Sequence, residues 1–360
     1  MERENNITGN IGEWSELYAL AFILANSGMY GADEDQNRRT DIFYQVLRVI
    51  FAEKPNEPQH IYVLKDDVIE IYKNNEKIGE AKANKIKKVA GKMFNELSVF
   101  NEGRAFNIDS GSEMMKILKK DYIKAPSSDK KDLDMVMIDL RKGQSTPEIG
   151  FSVKSQLGSP STLINASRAT NFTYEILDKD FNVPEKLPKL HERNVKDNVE
   201  LLINSGFNLK LHGLDSETFE KNLSLIDSNL ADYLAKVLVS YYSRDASKIS
   251  ELVEIVFSKG NSKNEQAAYK IEEFLSLMAL GMMPNTEWNG DLTSLGGIIL
   301  VKKDGDVLCY YLYNLDDFKK YLLKNTKLET PSTSRYGIGH VIEENGRCFI
   351  KLNLQVRFLR

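Results

Sequence analysis

Lys131-Asp-Leu-Asp-Met-Val-Met-Ile-Asp-Leu-Arg-Lys-Gly-Gln-Ser-Thr-Pro-Glu-Ile-Gly-Phe-Ser-Val-Lys-Ser-Gln156 is the stretch on which the fold turns. Two branched, apolar runs, Asp134 to Leu140 and Ile149 to Lys154, flank Gly143, which predicts antiparallel strands joined by a turn. With the turn centred on Gly143 and Gln144, Asp134 lies across from Val153 or Lys154. Side chains alternate along a strand, so Ser152, Lys154 and Gln156 share one face while Phe151 and Val153 face the core. The turn delivers an acid and a lysine to one place.

An aspartate opposite a lysine has a bland reading, a cross-strand salt bridge, and a chemical one. Hydrolysis of a phosphodiester needs a cation to neutralise the phosphoryl oxygens and acidify a bound water, and an oxygen-rich site suits Mg²⁺. In that reading Asp134 is the first ligand, Asp132 its register-shifted substitute and the Val153 carbonyl a second oxygen. Lys154 stands beside the attacking water or the scissile phosphate and polarises it. Ser152 takes the position of a second carboxylate, with Gln156 further along the same catalytic face. Glu148 also shares that face, but the intervening strand spans roughly 20 Å, too far to share an ion with Lys154.

Outward from the hairpin, Ile11 to Ala25 has helical spacing of Trp14, Leu17, Tyr18 and Phe22, with Gly28 as a stop. Ile42, Val46, Leu47 and Ile50 predict a second helix over Thr40 to Glu53, closed by Lys54-Pro55. A hairpin follows, His60 to Leu64 and Val68 to Tyr72, then helices over Lys82 to Phe100 and Ser112 to Lys120, the latter capped by Ser110 or Ser112. Leu157 to Asn171 is rich in Ser, Thr and Asn and is expected to be a loop. Asn208 to His212 is a strand candidate, Ser216 to Gly281 is helical, and Asp304-Gly305 joins the strands Gly296 to Lys303 and Val307 to Asn314. A helix over Leu315 to Leu323 and strands over His340 to Glu343 and Cys348 to Arg357 close the chain. The expected class is mixed α/β: a central mixed sheet flanked by helices, with a largely helical insertion. Its expected parts are 1–175 with the hairpin core, a helical region 176–285 and a β-rich region 286–360, packed as one unit.

Composition narrows the function. The opening residues lack the apolar run of a secretory signal and no apolar stretch reaches the length of a spanning helix, so the expected location is the cytoplasm. Cys309 and Cys348 fall in separate strands and the histidines (His60, His191, His212, His340) are scattered, which excludes the close pairs of a zinc site. A net charge of -4 argues against a general nucleic-acid binder. Local basic runs remain: Lys82, Lys85, Lys87, Lys88 and Lys92, then Lys116, Lys119, Lys120, Lys124, Lys130 and Lys131.

Asp134 with Ser152-Val153-Lys154 resembles the motif of the PD-(D/E)xK nucleases, with serine in place of the second acid. That resemblance implies a helical glutamate that reaches the metal, here Glu16 or Glu13. Three longer stretches resemble the HpaII family of type II restriction endonucleases. They are Gly12-Glu-Trp-Ser-Glu-Leu-Tyr18; Gly150 to Leu163 with Asn165-Ala-Ser and Ala169-Thr-Asn-Phe172; and Asn325 to Arg335 with Leu352-Asn-Leu-Gln-Val-Arg-Phe358. The resemblance implies Mg²⁺-dependent double-strand cleavage of DNA at a short palindrome, CCGG. It also suggests a homodimer on the palindrome and a cognate DNA methyltransferase.

Ser159, Ser161, Thr162, Asn165, Ser167 and Arg168 form either a polar loop or a set of phosphate and base contacts. Ser332, Thr333, Ser334 and Arg335 invite the same comparison, and Arg168 or Arg335 is expected to meet guanine. Two other functions stay open: a repair or junction nuclease, and a DNA-binding protein that does not cut.

Overall fold

The computed structural model describes residues 7–51, 59–100, 105–123, 131–139, 143–178, 194–258, 260–292, 294, 296–332 and 337–359. They form two compact units, the first from Met1–Ser161 and Leu292–Tyr321, the second from Thr162–Asp291 and Leu322–Leu359. Each unit is assembled from separated pieces of chain.

In the first unit the chain runs α1 (Ile11–Asn26), β1 (Gly28–Ala32), β2 (Arg38–Phe51), β3 (His60–Lys65), β4 (Val68–Lys73) and β5 (Glu76–Lys82). Then come α2 (Ala83–Val99), α3 (Asp109–Ile117), β6 (Leu133–Asp139), β7 (Gln144–Ser145) and β8 (Ile149–Ser155). The second unit opens with β9 (Thr162–Ile164), β10 (Asn171–Leu177), α4 (Val195–Asn204) and β11 (Asn208–Leu214). Its helices follow: α5 (Glu217–Ile226), α6 (Leu230–Tyr242), α7 (Ile249–Val256) and α8 (Ser262–Leu280). The chain returns to the first unit for β12 (Gly297–Val301) and β13 (Val307–Tyr311), and α9 (Leu315–Lys324) leads back out. It closes with β14 (Thr326–Leu328), β15 (Val341–Glu344), β16 (Arg347–Asn353) and β17 (Val356–Phe358) in the second.

α1 begins with a capping box, in which Asn10 Oδ1 accepts the Glu13 N–H at 3.0 Å and Glu13 Oε2 accepts the Asn10 N–H at 2.9 Å. It ends at Ser27, whose left-handed φ of 53° breaks the helix one residue before Gly28. Trp14, Leu17, Leu20, Ile23 and Leu24 are buried on several sides at once, as expected of a helix inside a core. Each such side chain contributes roughly 1.5–3 kcal/mol by leaving water. The mixed sheet runs β5-β4-β3-β2-β1-β13-β12-β8-β6-β7, with β2 also paired to β6. β2 holds β6 along one edge and β1, then β3, along the other, so the sheet curls back on itself.

β2 corrects the helix expected over Thr40 to Glu53. Ile42, Val46 and Ile50 are four apart, a spacing that satisfies both a helix and an alternating strand. The structure selects the alternation: Ile42, Tyr44 and Val46 are buried in turn, and a bulge between Val46 and Arg48 resets the phase. The β-branched and aromatic content of the segment favours that outcome. Lys54-Pro55 lies outside the described residues.

α3 starts at Asp109, earlier than expected, so neither Ser110 nor Ser112 is its cap. Asp109 instead places a negative charge against the first turn. Gly111 lies directly on α1: a β-carbon there would stand 2.4 Å from the Trp14 ring and 2.6 Å from Ile108. Gly111→Ala is therefore expected to destabilise by about 1–3 kcal/mol through overpacking, despite the better helix propensity of alanine. A melting temperature at or above wild type would contradict that packing.

In the second unit β10 lies between β11 and β16, and β15 completes an antiparallel sheet. α6 crosses it, with Tyr174 Oη donating to the Ala235 carbonyl at 2.9 Å and Tyr242 Oη to the Asn353 carbonyl at 3.1 Å. The helical run expected from Ser216 to Gly281 is α5 to α8. Cys309 and Cys348 are free and buried. Among the described residues no helix is long and apolar enough to cross a membrane.

Candidate active site

β6 and β8 pair as expected, but in a different register. Leu133 faces Phe151, Asp134 faces Gly150 and Met135 faces Ile149. Asp134 is therefore not opposite Val153 or Lys154. At the other end Asp139 pairs with Gln144, which puts Gly143 on the returning limb and not at the apex of the turn. Gly143 has a left-handed φ of 65°, a conformation equally at home beside an apex. The glycine marks that a turn exists without fixing its centre.

The shift brings Asp132 to the place expected for Asp134. Its N–H donates to the Phe151 carbonyl at 2.7 Å, just before β6 begins. Its Oδ2 accepts the Val153 N–H at 2.6 Å and the Ser152 hydroxyl at 3.2 Å. Burial pushes the Asp132 carboxyl above the usual carboxylate range, against the opposing pull of the Lys154 charge, the Val153 N–H and the Ser152 hydroxyl. In an extended strand the N–H and C=O of one residue leave on the same side. Since the Val153 N–H points to Asp132, its carbonyl faces the same gap beyond the start of β6. The Asp132 carboxylate and the Val153 peptide oxygen thus meet at the end of the hairpin, in the field of the Lys154 charge.

Asp134 is one alternation along the same face, and Lys131 holds it at 2.9 Å. Gly150 makes room for this pair: a β-carbon there would meet Lys131 Cδ at 2.8 Å and Asp134 Oδ1 at 3.0 Å. Sequence reasoning missed both roles; the signal for Gly150 was a glycine inside a strand, which marks a close approach. Glu148 pairs with Arg48 at 3.2 Å. Gln156 fastens the far end of β8, with Nε2 donating to Gln36 Oε1 at 2.5 Å and Oε1 accepting the Lys303 N–H at 3.2 Å.

Of the helical glutamates, Glu13 has its carboxylate in the capping box. Glu16 stands half-buried on α1. The first turn of α1 lies against Gly158, which has a left-handed φ of 78°, and a β-carbon there would stand 2.5 Å from the Ile11 methyl, so the position admits no side chain. Among the described residues no three His, Cys, Asp or Glu side chains cluster as a metal cage. Such a cage is not required for Mg²⁺, which keeps several waters and takes one or two carboxylates plus substrate oxygens. Asp132 and the Val153 carbonyl fit that limited donor set.

The polar stretch after β8 divides between the units: Ser159 and Ser161 belong to the first, Thr162, Asn165, Ser167 and Arg168 to the second. Thr162 pairs with Arg357, and the Ser167 N–H donates to Thr170 Oγ1 at 3.1 Å. The stretch is irregular apart from β9 and the short turn at Arg168–Thr170. Ser332 is exposed; Thr333, Ser334 and Arg335 lie outside the described residues. Lys82, Lys85, Lys87, Lys88, Lys92, Lys116 and Lys119 are exposed, whereas Lys120 is buried with its ammonium 3.0 Å from the centre of the Phe51 ring. Lys124, Lys130 and His191 lie outside the described residues.

A sequence profile of the HpaII restriction endonuclease family matches residues 10–358. The chain is 38% identical over 359 residues to the Type II restriction enzyme HpaII of Haemophilus parainfluenzae, covering 98% of this chain and 99% of that protein. No solved structure matches the chain.

Proposed function

Because the chain belongs to the HpaII restriction endonuclease family, we propose that it cuts double-stranded DNA site-specifically by Mg²⁺-dependent hydrolysis, at the centre formed by Asp132 and Ser152-Val153-Lys154. The preferred site is a short G·C palindrome, CCGG. One observation carries the placement: the Asp132 carboxylate accepts the Val153 N–H in the field of Lys154.

Asp132 and the Val153 carbonyl would hold the cation, which supplies Lewis-acid stabilisation of the phosphoryl oxygens and an acidified water. Ser152 does not replace a ligand. Its hydroxyl donates to Asp132 and fixes the orientation of that carboxylate. Asp134 is the reserve acid on the same face, held away by Lys131, and Glu16 is the candidate for the outer water shell. Lys154 stabilises charge that develops on the phosphate or the attacking water. A palindrome is matched by two copies of the chain, so a homodimer on DNA is the expected assembly. A methyltransferase that marks the same site, and a cytoplasmic location, complete the proposed setting.

Incubation of supercoiled plasmid with Mg²⁺ or with EDTA tests this reading. Expected are discrete double-strand ends that share one tetranucleotide, with Mg²⁺ only. Scattered or structure-dependent nicks favour a repair or junction nuclease, and retention of DNA without any cut favours a non-cleaving binder.

A further inference from the structure

Asn171 and Asn353 are side chains with 0% and 1% of their surface exposed, and they face each other across β10 and β16. Both come from stretches that resemble one family yet lie far apart in the chain. Asn353 Nδ2 donates to the Ser167 carbonyl at 2.8 Å, to Thr170 Oγ1 at 3.1 Å and to Asn171 Oδ1 at 2.7 Å. Asn171 Nδ2 donates to Asp215 Oδ2 at 3.0 Å. Asp215 also accepts from Thr173 Oγ1 at 3.1 Å and pairs with Lys351 at 2.8 Å. A polar chain therefore runs from the Ser167–Thr170 turn through the sheet to Lys351.

Stability does not explain it. Buried polar groups are no better than well-packed apolar ones for holding a core, and the Asn353 Oδ1 accepts no hydrogen bond among the described residues. What such a network supplies is fixed geometry. The turn it fixes presents Arg168, which is exposed and forms no ion pair among the described residues. A cavity of about 470 Å³ opens there, lined by Arg168, Asp215, Gly337, Ile342 and Lys351.

The charges decide what the cavity takes. A phosphate site gathers cations, but here Asp215 cancels Lys351 and leaves the charge of Arg168 alone. The major-groove edge of guanine is neutral overall and offers N7 and O6 side by side, the match for a guanidinium fork. We propose that this cavity reads guanine, with Arg168 making the contact and Asn353, Asn171 and Asp215 as positioning residues. The inference rests on the DNA-cleaving function proposed above.

The test is cleavage of a duplex carrying the cut site, with guanine or 7-deazaguanine, by wild type, Arg168→Ala, Asn353→Ala and the double variant. Arg168→Ala is expected to lower kcat/KM by about 5- to 150-fold at unchanged melting temperature. 7-Deazaguanine should cost the wild type a similar factor and Arg168→Ala nothing further. Asn353→Ala should lose discrimination against single-base variants, and the double variant should lose no more than Arg168→Ala, since one residue acts through the other. If Asn353→Ala does not fold, Asp215→Asn takes its place with the same expected non-additivity. Additive losses overturn the positioning role. Equal weakening on every duplex, with a salt slope smaller by about one, indicates a phosphate contact and overturns the guanine reading. A wild type that cuts no DNA overturns the underlying function as well, whereas a cutting wild type with an Arg168→Ala rate within about twofold overturns this proposal alone.

Discussion

Asp132→Asn is expected to abolish cleavage, with a fall in kcat of roughly a thousandfold or more, about 4 kcal/mol of transition-state stabilisation. The amide keeps the shape and can still accept the Val153 N–H and the Ser152 hydroxyl, but it brings no charge to a cation. Asp134→Asn should be milder, about 10- to 100-fold, because Asp134 faces Gly150 and is held by Lys131. The register read from the turn alone gives the opposite order. Asp132→Asn should also leave its mark on stability. A carboxyl whose pKa rises on folding favours the folded state below its unfolded-state pKa, and that advantage is lost as pH rises through the folded-state value. Burial raises the Asp132 carboxyl in this way, so its charge opposes folding at neutral pH in the metal-free protein. The melting temperature of Asp132→Asn at pH 7 without metal is expected at or above wild type, and the difference should close on acidification. A clear drop at pH 7 contradicts the burial of that charge.

Lys154→Ala should separate cutting from binding. Lys154 follows directly on the Val153 peptide that faces Asp132, and its charge acts on that carboxylate. In the proposed site its ammonium meets charge that grows toward the transition state, so its removal is expected to lower kcat by roughly a hundred- to a thousandfold while DNA affinity stays within about tenfold. Single-turnover cleavage and a binding titration on the same duplex measure the two quantities. Loss of affinity with near-normal turnover would place Lys154 on the DNA backbone and outside the chemistry.

The hairpin was legible because its strands are long, branched and bounded by a turn signal, and the face shared by Ser152 and Lys154 follows from alternation alone. The register was not, since a glycine with left-handed φ can sit on either limb of a turn. That single uncertainty moved the proposed metal ligand from Asp134 to Asp132. β2 was misread for a related reason: apolar residues four apart fit both helix and strand, and the bulge near Val46 hides the strand period. The candidate role of Glu16 came only through family resemblance, because nothing in a helix period tells a carboxylate turned toward a site from a solvated one. The Asn171–Asn353 network could not be foreseen at all. It joins residues far apart in the chain, and only their pairing across β10 and β16 brings them together.

One digest tests most directly whether this chain is a site-specific nuclease whose cation sits on Asp132. A plasmid library with randomised tetranucleotides is treated in Mg²⁺ with wild type, Asp132→Asn and Asp134→Asn, and the ends are sequenced. The expected result is a single shared tetranucleotide, CCGG, cut by wild type, cut more slowly by Asp134→Asn and left intact by Asp132→Asn. Ends without a shared sequence, or Asp132→Asn cutting faster than Asp134→Asn, would contradict it.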